Sequence, residues 1–233
     1  LHRARHGAFV MRDTASLAAP GRNGARAAPL ICLGASTGGL VALERILRTL
    51  PADCPPVLVV QHILGTFSGG LARRLGRHSR AQVVEASDGA ALQSGVIFVA
   101  PGDAAHLELS ADGRRCRIRP GPAVSGHRPS VDAMFLSAAR APRGIVAALL
   151  SGMGRDGADG LLAIRRSGGR TIVQDRGSST VWGMPGTAVE IGAAELALPD
   201  RRIGAALIGA ARELGYSAPD AGGASGAVAR AEH

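Results

Sequence analysis

The stretch PLICLGASTGG, residues 29–39, decides the fold class. It opens with the apolar run Leu30–Leu33 and stops abruptly in the small residues Gly34–Gly39, after which apolar residues recur with a helical period. A continuous short apolar run is typical of a strand that is buried on both faces of a sheet. The stretch therefore predicts a strand, a tight glycine-rich turn and a helix.

The same alternation continues along the chain. Strands are predicted at Leu30–Ala35, Val57–His62, Gln82–Glu85, Val96–Ala100, Ile145–Leu150, Thr171–Gln174 and Leu196–Leu198. Helices are predicted at Gly39–Thr49, Gly69–Gly76, Ser130–Arg140, Gly157–Ser167, Met184–Ile191 and Arg201–Leu214. Residues 107–119, with Asp112-Gly113 midway, indicate an inserted β-hairpin. The pattern predicts an α/β fold with a doubly wound, mostly parallel sheet and helices on both faces.

Composition predicts one folded domain between two tails. Residues 1–29 are rich in Arg, Ala, Gly and Pro without a sustained period, and residues 217–233 are rich in small residues. We expect both segments to be disordered. The folded domain is expected to run over residues 30–216.

Charge and rare residues limit the function classes. The net charge is +9, and aromatic residues make up only 3% of the 233 residues, which argues against stacking surfaces for single-stranded nucleic acid. The three cysteines form no CxxC pair, so no metal site is expected, and their odd number without a secretory signal fits the cytoplasm. No apolar stretch is long enough to cross a bilayer. We therefore expect a cytoplasmic protein with no nucleic-acid partner and no membrane insertion.

Three reactive side chains follow three predicted strands. Ser36 follows the first strand, His62 ends the second, and Asp156 follows the fifth. Because the carboxyl ends of parallel strands meet at one edge of a sheet, these side chains are expected to lie together. A hydroxyl, an imidazole and a carboxylate are the groups of a serine hydrolase.

The turn that carries Ser36 has two interpretations. Gly34 to Gly38 match the G-x-S-x-G spacing of a nucleophile elbow, which holds a serine at the top of a sheet. Helix N-termini also bind phosphates, so a nucleotide site is the alternative. The second strand, however, closes on Gln61-His62 and lacks the acidic residue of a dinucleotide site, and the chain contains no Lys for a phosphate-binding loop.

The base and the acid each have competitors. His106 and His127 could border the cleft, but neither ends a buried strand. The other candidate acids are Asp88, Asp103, Asp132, Asp159 and Asp175. Asp156 is preferred because glycines surround it, which indicates unusual backbone angles. The alternative for Asp156 is a structural role as the N-cap of the helix that starts at Gly157, and both roles are compatible.

Six motifs resemble the chemotaxis receptor methylesterase family, CheB, in its catalytic domain. They are ASTGG (35–39), VVQH (59–62), VIFVAPGDAAH (96–106), GHRPSVD (126–132), LLSGMGRDG (149–157) and QD, SS and WGMP within residues 174–185. They occur in the family's order over residues 30–200. The resemblance implies hydrolysis of glutamate γ-methyl esters on the cytoplasmic helices of chemoreceptors, with receptor glutamine deamidation as a further activity.

The resemblance also implies residue roles. The catalytic residues would be Ser36, His62 and Asp156, and backbone groups of Thr37, Gly38 and Met153 would hold the oxyanion. No cofactor or metal is implied. In the family the strand end commonly reads QHM-P, whereas this chain reads Gln61-His62-Ile63-Leu64.

A regulatory domain is the main departure from the family. Its usual form begins with a phosphorylatable receiver domain of about 100 residues, whereas only 29 residues precede the first strand here. We therefore expect no phosphorylation control within this chain, which is either a natural stand-alone protein or a fragment. The alternatives in function are a catalytically silent receptor-binding adaptor and an esterase that acts on a different protein. The oligomeric state is left open.

Overall fold

The computed structural model describes residues 28–62, 68–102 and 105–217. The strands are β1 (Leu30–Ala35), β2 (Val57–Gln61), β3 (Gln82–Glu85), β4 (Val96–Val99), β5 (Ala105–Leu109), β6 (Cys116–Pro120), β7 (Ile145–Leu149), β8 (Arg170–Gln174) and β9 (Leu196–Leu198). The helices are α1 (Gly39–Thr49), α2 (Ser68–Gly76), α3 (Val131–Ala139), α4 (Ala158–Arg166), α5 (Met184–Glu190) and α6 (Asp200–Glu213). The predicted tails, 1–29 and 217–233, fall outside these residues except at positions 28, 29 and 217.

The main sheet has seven strands in the order β3-β4-β2-β1-β7-β8-β9. Every neighbouring pair in it is parallel. Strand β1 lies in the middle, paired with β2 on one side and β7 on the other, and all six of its residues are buried. The prediction of a mostly parallel sheet is confirmed. A strand covered on both faces needs an unbroken apolar run, and residues 30–33 supply one for β1.

Helices cover both faces of this sheet. Ile31 and Leu33 lie in one core with apolar residues of α1, α2 and α6. Leu30 and Cys32 lie in a second core with apolar residues of α3, α4, α5 and the hairpin. Because successive side chains of a strand point to opposite faces, one short apolar run serves both cores. The sheet is therefore doubly wound, as predicted.

The inserted hairpin is present but longer than predicted. Strands β5 and β6 pair antiparallel from Ala105–Pro120 to Leu109–Cys116, and they form a separate two-stranded sheet. The turn contains Gly113 at φ 70°, a backbone angle that favours glycine. The hairpin packs against α3 and covers part of the second core.

Local capping sets the helix ends within about a residue of the predicted positions. Helix α3 starts after Ser130, whose side chain accepts a hydrogen bond from Ala133 N, so Ser130 is a cap and not the first helical residue. Helix α4 starts after Gly157, which is left-handed at φ 91°. In the part of the chain that the structure describes, no helix is long and apolar enough to span a bilayer.

The three cysteines are free and buried. Burial raises the pKa of Cys32 and of Cys116 to about 12, and that of Cys54 to about 11. Thiols with such pKa values stay protonated at neutral pH and behave as small apolar residues.

Candidate active site

The strand order reverses next to β1. From β1 the chain first adds β2 on one side, and it later returns to add β7 on the other side. Ligands of open parallel sheets bind outside the carboxyl ends of the strands at such a point. Ser36, His62 and Asp156 follow β1, β2 and β7 respectively, so the topology brings all three to this edge.

The backbone around Ser36 is held from both neighbouring strand ends. Ser36 N donates to Ser151 O (3.0 Å), and Gln61 Nε2 donates to Ser36 O (2.9 Å). Ser36 is 9% exposed, so its hydroxyl lies at the edge of the protein interior. A Cβ atom at Gly34 would lie 2.2 Å from Val131 Cγ1, so the close approach of α3 requires glycine at this position of β1.

The ring of His62 is oriented by Asp156. His62 Nε2 and Asp156 Oδ2 are 2.8 Å apart. Because an ionised carboxylate only accepts hydrogen bonds, Nε2 carries the proton and Nδ1 is the basic nitrogen of the neutral ring. Nδ1 is buried and has no hydrogen-bond partner within the described residues. It is therefore the nitrogen that can accept a proton from a serine hydroxyl.

The Asp156 carboxylate is fully buried at the N-terminus of α3. It accepts hydrogen bonds from Val131 N (2.7 Å), Asp132 N (3.0 Å), Ser130 Oγ (2.8 Å) and the His62 ring. Burial by itself raises the pKa of Asp156, but the hydrogen bonds from His62, Asp132, Ser130 and Val131 outweigh it and hold that pKa below its ordinary value. Asp156 is therefore ionised at neutral pH.

The alternative that Asp156 caps the helix directly after it is wrong. Gly157 is the N-cap of α4, and no side chain caps that helix. The Asp156 carboxylate instead bonds backbone N–H groups of α3, a helix 25 residues earlier in the chain. The sequence neighbourhood suggested the adjacent helix, whereas the fold brings a different helix end to the carboxylate.

Residues 181–184 hold the loop that follows β7, which contains Ser151 and Gly152. Gly183 N and Met184 N both donate to Gly152 O (3.1 and 2.8 Å), and Val181 N donates to Ser151 Oγ (3.0 Å). A Cβ atom at Gly152 would lie 2.7 Å from Ser36 Cβ and 2.2 Å from Met184 Sδ. The loop therefore passes directly over Ser36. The motif WGMP, residues 182–185, carries part of the family resemblance, but its contact with the Gly152 loop was not predicted.

The predicted oxyanion groups lie on the two loops beside Ser36. Thr37 and Gly38 form the turn into α1, with Gly38 left-handed at φ 77°. Met153 follows Gly152 and is 70% exposed. Across residues 28–62, 68–102 and 105–217, no group accepts a hydrogen bond from the backbone N–H of Thr37, Gly38 or Met153.

His127 lies closer to the site than sequence reasoning placed it. Its ring stacks on that of His62, with the centroids 3.9 Å apart and the planes at 11°. His106, the other histidine of the cleft border, is buried and bonded to Pro122 O and Ser130 N. Only the tertiary structure reveals this stack. The two histidines have 64 residues between them, and nothing in the sequence near either one indicates the contact.

The stacked ring of His127 predicts that the stability of the protein depends on pH. Burial, and then the neighbouring His62, lower the pKa of His127, while the Asp156 charge opposes them. The unfolded chain therefore binds more protons than the folded one between the lowered pKa and the ordinary value of about 6.5, and stability falls as the pH drops through that window. We expect His127→Phe, which keeps a flat ring but cannot be protonated, to lose less stability between pH 7.5 and 5.5 than the wild type. Urea unfolding at the two pH values measures this, and an equal loss in both proteins would contradict it.

No candidate metal site accompanies these residues. Within the described ranges, no three His, Cys, Asp or Glu side chains are grouped so that they could hold an ion.

The fold and the site together define a class of protein. It is a doubly wound α/β protein whose central strand ends carry a serine, a histidine and a buried aspartate, with the last two hydrogen-bonded. The family model of the CheB methylesterase matches residues 31–207, and the chain belongs to that family. The resemblance seen in the sequence motifs is thereby confirmed.

Curated relatives and a solved structure agree with the family. A protein-glutamate methylesterase/protein-glutamine glutaminase of Caulobacter vibrioides is 51% identical over 71% of this chain and 49% of its own length. One of Cereibacter sphaeroides is 53% identical over 76% of this chain and 49% of its own length. The crystal structure of the Thermotoga maritima CheB methylesterase catalytic domain matches with a TM-score of 0.75 and 35% identity, covering 78% of this chain and 98% of that one. This chain thus spans about half the length of the curated relatives.

Proposed function

We propose that this protein is a serine hydrolase that removes methyl groups from glutamate γ-methyl esters of chemoreceptors. The observation that carries the proposal is the hydrogen bond of 2.8 Å between His62 Nε2 and Asp156 Oδ2. Because this bond uses Nε2, the basic nitrogen Nδ1 of His62 stays free, and within the described residues it is buried and has no hydrogen-bond partner at the strand end next to that of Ser36. The names of the relatives, protein-glutamate methylesterases, support the substrate class.

In the first half of the reaction, the Ser36 hydroxyl attacks the ester carbonyl. His62 Nδ1 takes the hydroxyl proton, and the ionised Asp156 stabilises the imidazolium through Nε2. The imidazolium then gives its proton to the leaving methoxide, so that methanol departs and an acyl-enzyme remains on Ser36. In the second half, His62 activates a water molecule that frees the glutamate and restores the serine.

The negative charge on the ester oxygen needs donors while the tetrahedral intermediate exists. The backbone N–H groups of Thr37, Gly38 and Met153 are proposed to supply them, since they flank Ser36 and make no hydrogen bonds within the described structure. Removing one donor of such a set typically raises the barrier by about 3 kcal/mol. The chemistry uses only these protein groups, so no cofactor is proposed.

The same machinery suits a second reaction. The relatives are also named protein-glutamine glutaminases, and a glutamine side chain differs from the ester only in its leaving group. The His62 imidazolium would then give its proton to the leaving amino group, so that ammonia departs instead of methanol. We therefore include receptor glutamine deamidation in the proposal. Because the methylated helices of the receptors are cytoplasmic, we also propose that this protein acts in the cytoplasm.

The test combines a natural substrate with a general probe. The full chain is incubated with a methyl-labelled chemoreceptor cytoplasmic fragment, and released methanol is counted. In parallel, a fluorophosphonate probe is added and the labelled peptide is mapped. Methanol release together with labelling at Ser36 is the expected result. Labelling without release would favour an esterase for another protein, and neither signal would favour a silent receptor-binding adaptor.

A further inference from the structure

Gln61, the last residue of β2, makes hydrogen bonds that tie the two strand ends together. Its side chain is buried, and Nε2 donates to Ser36 O and to His62 O, both at 2.9 Å. The two hydrogens of one amide group are thus used on the backbones of the residues proposed as nucleophile and base.

These bonds continue the sheet where its backbone pairing ends. The last residue pair of β1 and β2 is Ala35–Gln61, followed by a final bond from His62 N to Ala35 O (2.9 Å). Beyond it β1 turns towards α1, so Ser36 O faces no further N–H group of β2. Ser36 O accepts one hydrogen bond from Gly39 N (2.9 Å), within its own turn, and its bond across to β2 comes from the Gln61 amide.

The orientation of the amide leaves one atom unsatisfied. Gln61 Oε1 is buried and has no hydrogen-bond partner in the part of the chain that the structure describes. Rotating the amide by half a turn would place Oε1 against two carbonyl oxygens, which repel it. A buried acceptor without a partner is costly, so the orientation of the amide is set by its two donor bonds.

We propose that Gln61 is a positioning residue that fixes the separation of Ser36 Oγ from His62 Nδ1, an inference that rests on the proposed function. Because Gln61 acts through the backbone, it does not contact the substrate. Its loss should therefore affect the rate of the chemical step and leave substrate binding unchanged.

The first test is Gln61→Met, which has a similar length but no donor. We expect kcat for methanol release to fall about 100-fold, since small displacements of reacting groups cost that much, and KM to stay within about twofold. The rate of fluorophosphonate labelling should fall in parallel, because the probe reacts with the same hydroxyl. Gln61→Glu keeps the length but can donate at most one hydrogen bond, and only when protonated, so kcat should fall in this variant too.

The matched control is Thr171→Val, which removes a buried hydroxyl on β8 that accepts a hydrogen bond from Glu195 N. It should lower the melting temperature and leave kcat unchanged. Labelling and kcat of Gln61→Met within threefold of the wild type, or a loss confined to KM, would overturn the inference. Labelling tests Gln61 without any receptor, so a wild type that labels but releases no methanol would contradict only the proposed substrate.

Discussion

Ser36→Ala is expected to lower methanol release at least 10,000-fold, about the loss seen when a member of a serine–histidine–aspartate set is removed. The variant cannot form the acyl-enzyme, so only transition-state stabilisation by the surrounding donors would remain. No described residue hydrogen-bonds to Ser36 Oγ, while the backbone bonds from Gln61 and to Ser151 do not need the hydroxyl. Stability should therefore be unchanged, and the loss should appear in activity alone.

The measurement is methanol release from the labelled receptor fragment, with urea unfolding of the same samples. Ser87→Ala is a suitable control, because Ser87 is exposed and follows β3, the edge strand that β4 separates from β2. It should match the wild type in both assays. A Ser36→Ala protein that still releases methanol at a tenth of the wild-type rate would refute Ser36 as the nucleophile.

Asp156→Asn is expected to lower kcat about 10,000-fold while the fold is retained. The amide would present either an N–H group to His62 Nε2, which forces the proton onto Nδ1, or an uncharged oxygen that stabilises the imidazolium less well. In either case, the base is impaired at the moment it must accept the serine proton.

The same substitution should also destabilise the protein in a pH-dependent way. Four hydrogen bonds end on the buried carboxylate, and hydrogen bonds to a charged group contribute about 1.5–3 kcal/mol each. Because the pKa of Asp156 is lowered on folding, its stabilising effect is present above the unfolded value of about 3.9 and is lost as the pH falls through the folded pKa. The difference in unfolding free energy between wild type and variant should thus be large at pH 7 and shrink in acid.

Asp159→Asn provides the comparison for both measurements. Asp159 is exposed and pairs with Arg155, which lies four residues earlier and before α4, and an exposed ion pair of this kind contributes little to stability. This variant should keep nearly full activity and stability at both pH values. If Asp156→Asn behaved like it, the buried carboxylate would have no part in orienting His62.

Much of the fold could be predicted from local patterns. The apolar run Leu30–Leu33 and the small residues after it specify a buried strand and a tight turn, because apolar runs and turn-forming residues act within a few positions of the chain. The strand-end rule then placed Ser36, His62 and Asp156 at one edge. Their catalytic roles stay predictions until the variants are measured.

Other features could not be predicted from the sequence, since they depend on contacts between distant elements. The Asp156 carboxylate is held by the N-terminus of α3, not by the helix beside it in sequence, and His127 stacks on His62 across 65 positions of the chain. The 181–184 segment positions Gly152 over Ser36, and the Gln61 amide links two strand ends. By itself the sequence determined the strands and helices along the chain, their mostly parallel sheet and the edge that carries the reactive groups, because apolar periodicity and glycine turns are local. Only the tertiary structure decided the hydrogen bonds that orient those groups, because each joins atoms whose distance depends on how the whole sheet and its helices pack.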